Sequence, residues 1–143
     1  GIPPDYEMRN DGLFYKGEDH IENSKIDSAF SGNVYLLIDE GVFSAGVWFA
    51  SFFKENKIGP VIGRETRGHS GGTTAGIGEV ITLKNSKLQT NVCFMRTEYP
   101  IENQIFGRGV LPDVYVDYSE IELIDGKDVI MEKALALIKA KQK

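Results

Sequence analysis

Residues 34–72, VYLLIDEGVFSAGVWFASFFKENKIGPVIGRETRGHSGG, leave the chain few ways to fold. Val34 to Ile38 is a continuous apolar run bounded by Gly32-Asn33 and Asp39-Glu40-Gly41, the pattern of a strand buried on both faces, and such strands are usually parallel. Ser44 then opens a helix in which Val47, Trp48, Phe49, Phe52 and Phe53 form a wide apolar face, with Lys54, Glu55 and Lys57 polar. Gly59 reads as the glycine stop, Pro60 follows, and Val61-Ile62 is a second short strand. Strand, helix and strand in this order predict a βαβ unit with a crossover connection.

Around that unit the signals are weaker. The first thirty residues have no sustained period, so residues 1–32 read as an irregular arm or linker, with His20 exposed. Between Gly68 and Gly78 lie five glycines, as in a loop that moves or lets a ligand approach the backbone. Val80–Leu83 and Leu88–Met95 flank Lys84-Asn85-Ser86-Lys87 as a hairpin does. Val114–Val116 reads as a strand. A closing helix from Asp125 onward has Ile130, Met131, Ala134, Leu137 and Ile138 on its face, acids early and lysines late. The expected class is α/β with an added antiparallel hairpin.

Two residues stand where chemistry is built. Ser44 lies at the edge of the sheet, just after a buried strand, at a helix start whose free backbone amides, such as that of Ala45, suit an oxyanion. The competing reading is a plain helix N-cap. A capping box would place Glu or Gln where Val47 stands, and the elbow G-x-S-x-G is missed because Gly41 precedes Ser44 by three residues rather than two. His69, in the glycine-rich loop, is either a base for a serine hydroxyl or an exposed loop histidine.

Other chemistries find no support. The glycine loop lacks the G-K-[ST] ending of a phosphate loop, and two scattered histidines with one cysteine make no zinc site. No cofactor is expected. The net charge of −5 argues against nonspecific nucleic-acid binding. No apolar run is long enough for a membrane span. Cys93, amid alternating strand residues, is expected to be buried or half-buried.

The segment carrying Ser44 resembles the core of the carboxy-terminal-processing (tail-specific) serine peptidases, the family that includes the tricorn protease core. Ser44-Ala45 opening a helix, then Gly63-Arg64-Glu65-Thr66-Arg67-Gly68 as G-x-x-T-x-G, then Gly109-Val110-Leu111-Pro112-Asp113 as G-V-x-P-D follow that family's order. The Leu83–Leu88 hairpin and the final GKDVIMEKALALIK agree with it. The resemblance implies a Clp-protease/crotonase-like ββα core with an added hairpin and a C-terminal helix. It also implies that residues 33–143 are the C-terminal part of a serine peptidase catalytic domain. The implied activity is endopeptidase cleavage of unfolded or C-terminal polypeptide segments through an acyl-enzyme on Ser44, with the Ala45 amide as one oxyanion donor.

Departures from the family pattern are specific. The base of the serine–lysine members falls where this chain has His69, and a frequent glutamate falls at Val47. The base is therefore His69 or a residue upstream of this chain, as in tricorn-like members, whose glutamate would correspond to Glu98 or Glu102. The upstream strand with D-L-R-x-N-x-G-G and a PDZ domain are not in the sequence. The alternatives are a catalytically inactive peptide-binding relative and an acyl-transfer or hydratase relative on the same fold. The resemblance suggests the bacterial cell envelope, with the cytoplasm as the alternative. Apolar surface left by the missing part predicts self-association into a homo-oligomer.

Overall fold

A computed structural model describes residues 6–10, 12, 14–16, 30–74 and 78–141. The chain divides into two compact units, 1–31 and 32–143. In the first, β1 (Tyr6–Met8) pairs antiparallel with β2 (Phe14–Lys16), so the stretch expected to be irregular holds a short ladder. His20 lies outside the described residues.

The second unit is built on a parallel sheet. β3 (Leu36–Ile38) pairs with β4 (Val61–Gly63), and β4 pairs with β9 (Val114–Tyr115), giving the order β3-β4-β9. Side chains alternate across a strand, and this sheet uses both faces. Leu36, Ile38 and Val61 join Val47, Ala50 and Phe53 of α1 (Ala45–Glu55) in one apolar cluster. Leu37, Ile62 and Val114 join Ile130, Ala134 and Leu137 of α3 (Val129–Lys141) in another. The result is a three-layer α/β arrangement around a parallel sheet, as the apolar run at 34–38 requires.

Three other elements complete it. β5 (Gly72–Thr73) pairs antiparallel with β8 (Thr97–Glu98), and β6 (Gly78–Thr82) with β7 (Gln89–Cys93). The β6–β7 turn closes through Leu83 N–H to Leu88 O at 2.8 Å, with Lys87 at positive φ. The short α2 (Glu120–Ile124) precedes α3 and was not expected from periodicity, although Ser119 and Glu122 form a complete capping box.

Several expectations are corrected. Helix α1 ends at Glu55, before Gly59, and Lys57 takes the left-handed conformation. Gly59 serves close approach instead: a Cβ there would sit 2.0 Å from the Val34 carbonyl oxygen. Only part of the aromatic face of α1 is covered, since Trp48, Phe49 and Phe52 are each about half exposed. Cys93 is exposed, because among the described residues β7 pairs only with β6 and its residues are all exposed. Among the described residues no helix is long and apolar enough to cross a membrane.

Candidate active site

The turn between β3 and α1 is tight. Val42 N–H donates to Asp39 O at 3.1 Å, and Gly41 N–H to Asp39 Oδ1 at 2.8 Å. The chain then meets the helix at Ser44, which has φ 53° and ψ −125°. A non-glycine residue with positive φ is strained, by about 1–3 kcal/mol, and such strain collects at functional sites. The Ser44 side chain makes no capping bond to the helix it opens. Its hydroxyl therefore does not serve the purpose that the simple cap reading assigns to it.

The amides at the helix mouth are unequally used. Gly46 N–H donates to Phe43 O, and those of Val47 and Trp48 to Ser44 O, at 3.0–3.1 Å. Among the described residues the Ala45 N–H has no acceptor. It is the helix-start donor left over for a ligand. The Ser44 carbonyl also accepts from the Tyr99 hydroxyl at 3.3 Å. Tyr99 is buried, stacks on Trp48 with ring centroids 5.9 Å apart, and has its pKa pushed up by burial, which keeps the phenol protonated as a donor. Tyr99 drew no attention in the sequence because its partners are 51 and 55 residues away.

The glycine-rich loop is pressed onto this turn. Arg67 N–H donates to Val42 O at 3.1 Å. Gly68 allows the contact: a Cβ there would lie 2.9 Å from Val47 Cγ2 and 3.6 Å from both Phe43 Cα and Ser44 N. On its other side the loop is stitched to residues 108–110. Glu65 accepts from Arg108 through both carboxylate oxygens, at 2.8 and 2.5 Å, and from Gly109 N–H at 2.8 Å. The hydrogen bond from Arg108 leads the causes that hold the Glu65 carboxyl below its usual pKa. Thr66 Oγ1 accepts from Val110 N–H at 2.8 Å, and Ser51 of α1 donates its hydroxyl to Ser70 O at 2.9 Å. Thus the T of G-x-x-T-x-G and the V of G-V-x-P-D are hydrogen-bond partners.

Ser44 and His69 line one cleft of about 620 Å³, together with Phe43, Val47, Tyr99, Phe106, Cys93 and Arg96. His69 Nδ1 accepts the Gly71 N–H at 2.8 Å, which places the proton of the neutral ring on Nε2. Nε2 is enclosed and without a partner among the described residues, and the ring meets Phe106 edge-on at 6.0 Å. No hydrogen bond joins His69 to Ser44 among the described residues. Glu98 and Glu102 are exposed and do not line the cleft; Glu98 faces Arg96 at 3.6 Å. No cluster of three or more His, Cys, Asp or Glu residues among those described is arranged to hold a metal ion.

The parallel sheet thus delivers Ser44 to a strained strand-to-helix turn, at a cleft beside a backbone amide left over among the described residues. The family model for peptidase family S41 matches residues 5–116, and the chain belongs to that family of serine peptidases. No curated protein and no solved structure matches it.

Proposed function

We propose that Ser44 is the nucleophile of a serine endopeptidase acting on unfolded or C-terminal polypeptide segments, on a Clp-protease/crotonase-like core. The observation that carries this reading is the strained Ser44 backbone, with a hydroxyl free of capping duty and the Ala45 amide unused beside it. Ser44 Oγ attacks the scissile carbonyl carbon as a base takes its proton. The oxyanion is met by the Ala45 N–H, and collapse expels the amine, which leaves with the proton. Water then hydrolyses the acyl ester by the same route. Tyr99 steadies the turn through the Ser44 carbonyl.

His69 is the cleft residue suited to be that base. To act, its ring must release Gly71 and present an unprotonated nitrogen to Ser44. That requirement is the specific support for the second reading, a peptide-binding relative that does not cut.

Casein hydrolysis by the wild type, Ser44→Ala and His69→Ala separates the cases. The expected result is a loss of about a thousandfold or more for Ser44→Ala and of about a hundredfold for His69→Ala. Undiminished turnover by Ser44→Ala would reject the nucleophile. Undiminished turnover by His69→Ala would move the base to another residue. A bacterial cell-envelope location remains part of the proposal, and fractionation of the source cells tests it.

A further inference from the structure

The cleft beside Ser44 is chemically lopsided. Its walls are mostly apolar, from Phe43, Val47, Tyr99 and Phe106, and among the described residues Arg96 alone brings a guanidinium to its lining. Among the described residues no Asp or Glu lines it. This is unexpected in a chain whose net charge is −5, where acids outnumber bases by 21 to 16. A cation held against apolar walls, with no fixed carboxylate among the lining residues, attracts an anionic ligand more strongly than the same cation on open surface.

Arg96 is both anchored and available. It immediately precedes β8, whose Thr97 pairs with Thr73 of β5 across the cleft wall. Three residues further on, Tyr99 bonds to the Ser44 carbonyl, so the segment presenting Arg96 is tied to the Ser44 turn. Its ion-pair partner among the described residues is Glu98, with Nε 3.6 Å from Oε1, which is beyond hydrogen-bond length. The Arg96 side chain is about half exposed and that of Glu98 about two-thirds. Such a contact is weak and readily exchanged for a carboxylate that accepts two guanidinium N–H groups at once.

We infer that Arg96 is a specificity determinant that anchors a carboxylate of the bound polypeptide in the Ser44 cleft. The carboxylate comes from an acidic side chain near the scissile bond or from the free C-terminus of the segment. The hydrolysis arm of the test rests on the peptidase reading; the binding arm does not.

Two matched peptide pairs distinguish the sources. One pair is capped at both ends and differs by Glu against Gln; the other has no acidic side chain and differs by free carboxylate against C-terminal amide. Binding is measured by fluorescence anisotropy on the Ser44→Ala protein, with and without Arg96→Gln, and kcat/KM on the protein with Ser44 intact. The expected result is about a tenfold preference for the carboxylate member of one pair, erased by Arg96→Gln and weakened by high salt. Glu98→Gln, which frees Arg96 from its competitor, should widen the preference.

A preference that survives Arg96→Gln, equal binding within both pairs, or no peptide binding at all would overturn the inference. Preference in binding without hydrolysis upholds it while removing the peptidase reading. Hydrolysis without preference does the reverse. Equal melting temperatures of the Arg96→Gln and parent proteins exclude a folding defect as the cause.

Discussion

Ser44 shows how one residue joins local conformation to chemistry. The turn asks for a glycine-like backbone, φ 53° and ψ −125°, yet the position carries a side chain. Replacing it separates strain from function. Ser44→Gly should be more stable than Ser44→Ala by about 1 kcal/mol, the relief of positive φ less the entropy glycine adds to the unfolded chain. Urea denaturation of the two variants checks this, and equal stability would mean the turn is not strained. The sequence disclosed the serine, the following helix and the missing glycine of the elbow, but not this conformation. Nothing in S-A-G-V states that φ is positive, because the distortion is imposed by the Asp39 turn and by the loop docked at Gly68. His69 was legible as a loop histidine; its Nδ1 bond to Gly71 was not, since it depends on the path of the loop.

At the scale of elements, the short motifs of the sequence turn out to be hydrogen-bonding hardware between segments far apart in the chain. Asp113, the last residue of G-V-L-P-D, receives Lys54 Nζ of α1 at 2.7 Å on one carboxylate oxygen and the Val61 N–H of β4 at 2.9 Å on the other. Lys54 also reaches Leu111 O at 2.7 Å. Partial burial raises the Asp113 pKa, but the Lys54 and Val61 hydrogen bonds and the lysine charge outweigh it and leave it lowered. A carboxyl lowered by folding stabilises the fold above its unfolded value, about pH 3.9, and that contribution drains away as pH falls through the folded value. Asp113→Asn should therefore cost about 1 kcal/mol at neutral pH, a figure reduced for the solvent around both side chains. Denaturation at several pH values should show a constant gap between variant and wild type from pH 7 to about pH 5, closing below about pH 4. A gap that widens in acid would contradict this assignment. Periodicity found β3, α1, β4, the β6–β7 hairpin and α3 because each has an apolar pattern of its own. It missed the two-residue partners β5 and β8, which are too short to carry one and exist only through each other.

Over the whole second unit, three segments separated in sequence converge on one cleft. The Ser44 turn supplies the hydroxyl and the Ala45 amide, the Gly68–Thr74 segment supplies His69, and the Cys93–Tyr99 segment supplies Arg96 and the bond to the Ser44 carbonyl. The α/β class and the serine-bearing edge were readable in advance from the βαβ pattern. The pairing of the cleft with Arg96 was not, because residues 44 and 96 come to line one cleft only after the sheet and β8 are assembled. The central claim, that the Ser44 hydroxyl is an activated nucleophile, is tested most directly by reaction with a fluorophosphonate followed by mass spectrometry of the digested protein. One phosphonyl adduct on the peptide containing Ser44, absent from Ser44→Ala, is the expected result. An unlabelled Ser44 in protein that hydrolyses casein, or a label on another serine, would contradict it.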